Sequence, residues 1–170
     1  RLGMPQPIVA LFHRPPRPSP AELLTRCDRL VIVEGVDNPA NVGAIVRNAA
    51  ALGWDGLLLD HTSADPLARR ALRVAMGTAF ALPHARTNRL VDDLSGAHGI
   101  TLYALTPDPL AIDVRDIEPV GRRAVLIGSE RCGLSDEVLA RAIAIRIPMS
   151  AGVDSLNAAA ATAIACYALA

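Results

Sequence analysis

The sequence predicts an α/β domain built on a mostly parallel sheet with helices on both faces. From residue 30 onward, short apolar runs typical of strands alternate with longer runs of helical periodicity. The strand-like runs are apolar at consecutive positions, which indicates strands that are buried on both faces. Several of these runs lead into a turn and a helix start, the position where an open α/β sheet keeps its ligand site. The same observations do not predict the order of the strands.

The first half of the chain carries clear signals for where helices begin and end. Asn38 can cap a helix that has Pro39 at its first position, and Gly53 ends that helix. A second helix is expected to open at Asp65 and to close at Gly77. The strands expected in this half are residues 30–34, 56–59 and 78–82.

The second half repeats the alternation around a loop-rich passage that holds several prolines. Ser135 and Ser155 are each placed to cap a helix that follows an apolar strand. We therefore expect strands at residues 100–105, 124–127 and 144–147, and helices at residues 89–95, 135–142 and 155–170.

Composition and charge limit the possible functions. The 170 residues fit one domain, and with 51% hydrophobic but only 3% aromatic residues the core must consist of aliphatic side chains. A formal net charge of +0 argues against a simple basic nucleic-acid module, whose affinity would come from phosphate neutralisation. Local arginine patches stay open as RNA contacts or as solvated charges: Arg69, Arg70 and Arg73 on one predicted helix, and residues 122–123.

A proline-rich head precedes the alternating elements. Residues 5–20 contain six prolines, a density that forbids a regular helix or a central strand. We expect residues 1–24 to form a linker or arm and residues 25–170 to form one domain. Because the chain starts at Arg1 rather than at Met, we also expect an N-terminal part that is not seen here.

The cysteines and the hydropathy pattern predict a cytoplasmic protein. Cys27, Cys132 and Cys166 are odd in number and lack metal-ligand spacing, which favours reduced thiols. No apolar stretch is long enough to cross a membrane, and we find no signal peptide. Neither a membrane nor a metal is therefore expected as a partner.

The first segment that offers chemistry is residues 38–48, which read NPANVGAIVRN. Arg47 lies one helical turn after Gly43 and one turn before Ala51, so small residues leave room for a ligand to approach its guanidinium. The structural alternative is an arginine that reaches solvent from a helix packed closely through Gly43.

The second segment, residues 124–135, runs from a strand through a glycine turn to a helix start. Gly128 and Gly133 have the separation of a phosphate-binding P-loop, but Leu134 stands in place of the expected lysine. Glu130 inside the loop would also repel phosphate, so binding of a nucleoside triphosphate is excluded. Glu130 is either a site residue or merely a loop carboxylate.

The third segment, residues 145–157, ends a strand at Pro148 and leads through a glycine loop into the last helix. Asn157 lies near the start of that helix, where its amide can face the same space as the Ser155 hydroxyl. Taken alone, Ser155 would be only a helix cap and Asn157 a polar residue of the first turn.

Together the three segments resemble a known family. An Asn-x-Gly-x-x-x-Arg helix start, a Gly-x-Glu-x-x-Gly-Leu-Ser turn and an Ile-Pro-Met…Ser-Leu-Asn helix start occur here in that order. This combination is similar to the SpoU (TrmH-like) RNA ribose methyltransferases of the SPOUT superfamily, and the resemblance covers residues 30–170. It implies an α/β sheet with a C-terminal trefoil knot and a homodimer whose active site lies near the subunit interface.

The resemblance also implies S-adenosylmethionine as cofactor and tRNA or rRNA as substrate, with methyl transfer to a ribose 2′-hydroxyl. The adenine is expected to be bound largely by main-chain groups. By similarity, the cofactor-binding residues are Leu105, Thr106, Gly128, Ser129, Glu130, Ile147, Pro148, Met149, Leu156 and Asn157.

The catalytic residues implied by the resemblance are Asn41, Arg47, Glu130, Ser155 and Asn157. Arg47 matches the catalytic arginine of the family, and because arginine stays charged we expect it to clamp a phosphate and stabilise negative charge rather than act as a base. Ser155 and Asn157 would orient the hydroxyl and support Arg47, and Glu130 would fix its loop or partner the arginine. No metal is needed.

One residue and one short run depart from the family pattern, and both bear on substrate details. Asn48 stands where many members carry threonine, and residues 158–161 are all alanine where Asn, Ser and Val are frequent. The alternative to an active enzyme is a catalytically silent RNA-binding or ribosome-assembly factor on the same fold. A base-directed methyltransferase would differ at residues 155–157, and a nicotinamide dehydrogenase would need a Gly-x-Gly-x-x-Gly turn that is absent.

Overall fold

The computed structural model describes residues 13–14 and 16–170, and within them seven parallel strands form one sheet. The strands are β1 (Arg29–Val33), β2 (Gly56–Asp60), β3 (His84–Thr87), β4 (Thr101–Leu105), β5 (Ile112–Asp113), β6 (Arg123–Ile127) and β7 (Ile143–Arg146). The helices are α1 (Pro20–Arg26), α2 (Pro39–Ala51), α3 (Arg69–Ala75), α4 (Thr78–Ala81), α5 (Leu90–Ser95), α6 (Asp136–Leu139) and α7 (Ala158–Ala168), with a 3₁₀ helix at Val114–Asp116. The order across the sheet is β3-β2-β1-β6-β4-β7-β5.

The predicted fold class is confirmed, because helices cover both faces of the parallel sheet. In β1, Val31 and Val33 belong to a core formed with α2 and α7, whereas Leu30 and Ile32 belong to a second core formed with α1, α5 and α6. All four side chains are fully buried. A strand buried on both faces must be apolar at consecutive positions, which is the pattern seen in the sequence.

Helix α2 is held by close contacts with its two neighbouring helices. A Cβ atom added to Gly43 would lie 2.4 Å from the carbonyl oxygen of Ala71 in α3, so only glycine allows this approach. On the α7 side, the Asn48 amide donates to the Ala159 carbonyl at 2.8 Å. Asn48, a departure from the family pattern, therefore joins α2 to α7.

The prediction of a strand at residues 78–82 is wrong, because Thr78–Ala81 form helix α4. Helix α3 ends where Met76 and Gly77 both adopt left-handed backbone angles, with φ of 52° and 90°, and the chain then turns directly into α4. The strand begins only after Pro83. The preceding helix starts at Arg69 rather than Asp65, because the Asp65 side chain accepts from the Leu67 N–H at 2.9 Å and forms a turn there.

Asn38 caps α2 as predicted, but the helices expected at residues 135–142 and 155–170 are shorter and their caps differ. Helix α6 ends at Leu139, and the Ser135 hydroxyl donates to Glu34 instead of capping this helix. Helix α7 begins at Ala158, and its cap is Asn157 rather than Ser155. Strand β5 and the 3₁₀ helix after it were not predicted, because two residues of strand leave no periodicity to detect.

The end of the proline-rich head joins the fold. Ser19 caps α1 through a capping box with Glu22, and Leu23 and Leu24 are buried in the second core. Helix α1 thus lies partly within the range 1–24 expected to be an arm; residues 1–12 and 15 lie outside the described residues. The domain division and the trefoil knot stay predictions. No helix in the described ranges has the length and apolar character to span a bilayer.

Candidate functional site

The carboxyl ends of β4, β6 and β7 surround an apolar cleft of about 440 Å³. The loops that follow these strands supply its walls, and the start of α7 closes one side. Its lining includes eight of the residues predicted to bind the cofactor, namely Leu105, Thr106, Gly128, Ser129, Glu130, Ile147, Met149 and Leu156. Pro148 and Asn157 are not part of the lining, whereas Ser155 is.

The loop after β6 takes its shape from two glycines. Gly133 has a φ of 69°, and the backbones of Ser129 and Gly133 exchange hydrogen bonds of 2.9 and 3.2 Å. A Cβ atom on Gly128 would lie 2.1 Å from the carbonyl carbon of Gly133, so any other residue would force this loop open. The glycines therefore hold Glu130 at the mouth of the apolar cleft.

Three of the predicted catalytic side chains form one hydrogen-bonded cluster. The Asn41 amide donates to Glu130 Oε1 at 2.9 Å, and the Asn157 amide donates to the same oxygen at 2.7 Å and to Asn41 Oδ1 at 3.1 Å. The Asn157 Oδ1 accepts from the N–H groups of Ala159 and Ala160, which fixes the start of α7. The cluster joins α2, the β6 loop and α7. Through these hydrogen bonds Glu130 links its loop to both helices.

Glu130 Oε2 accepts no hydrogen bond within the described residues, because all the contacts of this carboxylate use Oε1. A carboxylate oxygen offers about two lone-pair sites. Oε2 can therefore accept a hydrogen bond from a ligand hydroxyl without disturbing the cluster.

Arg47 and Ser155 lie outside this cluster. Arg47 is exposed further along α2 and makes no hydrogen bond or ion pair with any described residue. The expected support of Arg47 by Ser155 and Asn157 is therefore not present within one chain. Ser155 is also exposed and has no hydrogen-bond partner in the described ranges. Both side chains are available to a ligand.

A second cleft, which we name the acidic cleft, has a volume of about 490 Å³ and lies between the loops after β1 and β6. Residues 129–134 line both clefts and so form their shared wall. The lining of the acidic cleft contains the carboxylates of Glu34, Asp37 and Glu130. Arg131 Nη2 contacts Asp37 Oδ2 at 3.0 Å across the two loops.

Asp60, at the end of β2, supports the loop after β1. Its carboxylate accepts hydrogen bonds from the backbone N–H groups of Gly35, Thr62 and Ser63, each at 3.0 Å. The Ser63 hydroxyl in turn accepts from the Val36 N–H at 3.1 Å. Burial alone would raise the Asp60 pKa, but the hydrogen bonds from Ser63, Thr62 and Gly35 together outweigh burial and lower the pKa.

The sequence analysis missed Glu34, Asp37 and Asp60 as site residues. The available signal was their position, since each lies at or just after the carboxyl end of an apolar strand, where parallel sheets form their sites. Within residues 13–14 and 16–170, no group of three His, Cys, Asp or Glu side chains could hold a metal ion.

A model of the SpoU rRNA Methylase family matches residues 28–167. The chain belongs to the SpoU rRNA methylase family. This match confirms the resemblance drawn from the three motifs. It covers all seven strands of the sheet and all the predicted site residues.

Relatives and solved structures support membership of the SpoU family. An uncharacterized tRNA/rRNA methyltransferase of Mycobacterium bovis is 39% identical over 166 residues, which cover 94% of this chain and 58% of the relative. RlmP of Bacillus subtilis, a 23S rRNA (guanosine(2553)-2′-O)-methyltransferase, is 30% identical over 96% of this chain and 64% of its own length. The AdoMet-bound rRNA methyltransferase from Sinorhizobium meliloti superposes with a TM-score of 0.83 at 30% identity, over 91% of this chain and 60% of that one. The present chain thus spans less than two thirds of each of these SpoU-like proteins.

Proposed function

We propose that this chain is the catalytic domain of an S-adenosylmethionine-dependent methyltransferase that modifies a ribose 2′-hydroxyl of rRNA or tRNA. The observation that carries the proposal is the Asn41–Glu130–Asn157 cluster at the mouth of the apolar cleft. Membership of the SpoU family and the 2′-O-methyltransferase activity of RlmP support the same reaction.

The apolar cleft fits the proposed cofactor in size and character. Its volume of about 440 Å³ lies in the range of small-molecule sites, and Leu105, Ile147 and Leu156 provide apolar walls for an adenine ring. The closely folded backbone at Gly128 lets main-chain groups approach a bound molecule. S-adenosylmethionine, when bound, supplies a methyl group on an electrophilic sulfonium. The AdoMet-bound structure from Sinorhizobium meliloti supports this assignment.

The residues of the polar cluster would position the attacking hydroxyl. A ribose hydroxyl is a poor nucleophile near neutral pH, so rate depends on holding its oxygen in line and accepting its proton. Glu130 Oε2 is available to accept the hydroxyl proton in a hydrogen bond, while Asn41 and Asn157 keep the carboxylate in place. The exposed Ser155 hydroxyl would orient the ribose from the other side of the cleft.

Arg47 would bind and stabilise negative charge rather than remove the proton of the ribose hydroxyl. An arginine stays protonated, and its planar guanidinium binds phosphate through two parallel hydrogen bonds. The exposed Arg47 side chain is available to hold the phosphodiester next to the target ribose. From there it would also stabilise the negative charge that develops on the attacking oxygen.

We further propose that two copies of the chain pair and that the reaction takes place in the cytoplasm. Exposed apolar side chains support pairing: Ile164 and Tyr167 on α7 are 40% and 76% exposed. Light scattering after gel filtration tests this part of the proposal, with the mass of a dimer as the expected result. The mass of a single chain at micromolar concentration would refute it.

The decisive experiment is methyl transfer from radiolabelled S-adenosylmethionine to total RNA from cells with and without the gene, followed by mass spectrometry of the nucleosides. The proposal predicts a 2′-O-methylnucleoside, formed only with RNA from cells that lack the gene. Cofactor binding without transfer to any RNA would instead support the silent RNA-binding or assembly factor. A base-methylated product would support the base-directed alternative.

A further inference from the structure

We propose that the acidic cleft holds the base of the target nucleotide and that Asp37 and Arg131 together read its edge. This inference rests on the proposed function and adds a base preference to it. Its preferred ligand is a guanine base turned out of the RNA chain.

The first argument is the position of the acidic cleft relative to the apolar cleft. Glu130 lines both clefts, and residues 129–134 separate them. A ribose whose hydroxyl lies at Glu130 Oε2 would have the cofactor on one side of this wall and room for its base on the other. The volume of about 490 Å³ lies in the range of sites that hold small molecules.

The second argument is charge. The acidic cleft has three carboxylates and one guanidinium in its lining, so it disfavours phosphate and favours groups that donate hydrogen bonds. The amino and imino groups of a nucleobase are such donors, and unpaired RNA bases are typically read on their Watson–Crick edges. The phosphates would stay outside, on the side of Arg47.

The third argument identifies the carboxylate that is free to read a base. Both oxygens of Glu34 accept hydrogen bonds from Ser135. Glu130 Oε1 accepts from the two asparagines, and its Oε2 is assigned to the ribose hydroxyl in the proposed function. Among the described residues, the Asp37 carboxylate has Arg131 as its only hydrogen-bond or ion-pair partner, and the side chains of Asp37 and Arg131 are 68% and 83% exposed. An exposed ion pair of this kind contributes little to stability, so a ligand can replace it at low cost.

The paired charges of Asp37 and Arg131 match guanine better than any other base. Guanine presents N1–H and N2–H donors beside the O6 acceptor, so a carboxylate can accept two hydrogen bonds while the neighbouring guanidinium donates to O6. Adenine and cytosine each offer one amino group on that edge. Uracil has a single N3–H between two carbonyl oxygens, which a carboxylate repels.

The test compares nucleoside binding by the wild-type chain, Asp37→Asn and Arg131→Ala, with Asp92→Asn as the control. Asp92 is a suitable control because it is 69% exposed and pairs with Arg89 outside both clefts. The readout is the shift of the Gly35, Val36 and Cys132 amide signals in NMR spectra on addition of guanosine or uridine. We expect guanosine to bind the wild type and the control, uridine to bind weakly, and both cleft variants to lose about tenfold in guanosine affinity.

The same proteins are then assayed for methyl transfer on RNAs that differ only in the target base. We expect a wild-type preference for guanosine in kcat/KM that Asp37→Asn reduces and Asp92→Asn keeps. Equal binding of guanosine and uridine, or Asp37→Asn behaving like the control, would overturn the inference. Guanosine binding without methyl transfer to any RNA would overturn the proposed function while supporting the base site.

Discussion

Glu34 accepts hydrogen bonds from both the N–H and the hydroxyl of Ser135, each at 2.8 Å. The two residues are 101 positions apart, and they meet because β1 and β6 are neighbours in the sheet. The contact joins the loop after β1 to the start of α6. It therefore supports the loop that carries Glu130 and separates the two clefts.

Replacing Glu34 by alanine should destabilise the fold by about 1–3 kcal/mol, because the Ser135 N–H loses its acceptor in a partly buried place. Ser135→Ala is the matched comparison, since it removes only the hydroxyl bond and should cost about 1 kcal/mol. Urea unfolding at pH 7 measures both. Equal stability of Glu34→Ala and the wild type would show that solvent replaces the carboxylate fully.

Arg47→Ala should abolish methyl transfer, a loss of at least about 10²-fold, and leave cofactor affinity nearly unchanged. The reason is that Arg47 makes no hydrogen bond or ion pair with a described residue and lies outside the apolar cleft, and its proposed role concerns the substrate alone. The unfolding free energy of the Arg47→Ala variant should differ from that of the wild type by no more than about 0.5 kcal/mol. Transfer assays, calorimetric titration with cofactor and thermal unfolding test these three points. Arg89→Ala, another exposed arginine, should keep full activity.

Asn157 serves both the helix and the polar cluster, and two substitutions separate these roles. Asn157→Ala should cost about 1 kcal/mol because α7 loses its cap, and it should also reduce turnover. Asn157→Ser keeps a capping oxygen but is too short to reach Glu130. Its melting temperature should therefore recover while its turnover stays low. Recovery of both properties would assign Asn157 a capping role alone.

Gly43→Ala should destabilise the protein by about 1–3 kcal/mol, because the added methyl group would meet the Ala71 carbonyl at 2.4 Å. The better helix propensity of alanine offsets only part of this cost. Gly96→Ala is the control, since its new Cβ would have an ordinary contact of 3.5 Å with the Asp93 carbonyl. The melting temperatures of the two variants should differ by several degrees. Identical melting temperatures would mean that α2 and α3 can move apart freely.

The lowered pKa of Asp60 predicts a specific pH dependence of stability. A carboxylate with a depressed pKa stabilises the folded state above the unfolded pKa of roughly 3.9, and this contribution is lost as the pH falls through the lowered value. Asp60→Asn should therefore be less stable than the wild type at pH 7, and the two stability curves should converge in acid. Denaturant titrations between pH 7 and pH 3 measure this. If the unfolding free energies of the wild type and Asp60→Asn differed by the same amount at every pH, the lowered pKa assigned to Asp60 would be contradicted.

Local patterns predicted the strands well where both faces are buried. The expected run at residues 30–34 and the observed β1, Arg29–Val33, differ by one position at each end, because consecutive apolar residues have no other stable place in this fold. The prediction at residues 78–82 was wrong because a left-handed Met76 begins the turn there. A positive φ is rare for a residue other than glycine, so no sequence signal announces it.

The motifs located the candidate site more completely than they described its contacts. Asn41, Glu130 and Asn157 were each recognised from neighbours in sequence, but their mutual hydrogen bonds depend on which strands are adjacent. Helical periodicity carries no information about strand order. For the same reason, Ser135 was assigned to its own helix although its hydroxyl donates to Glu34.

The hydrogen bond between Asn41 and Asn157 spans 116 positions of the chain. A ribosome adds about 5–20 residues per second, so of the order of ten seconds separates the synthesis of these two asparagines. By the end of that interval, once Arg146 has been added, the nascent polypeptide contains every strand of the sheet but cannot yet hold the Glu130 carboxylate from the α7 side. The proposed catalytic arrangement would thus be completed only after residue 157 has left the exit tunnel.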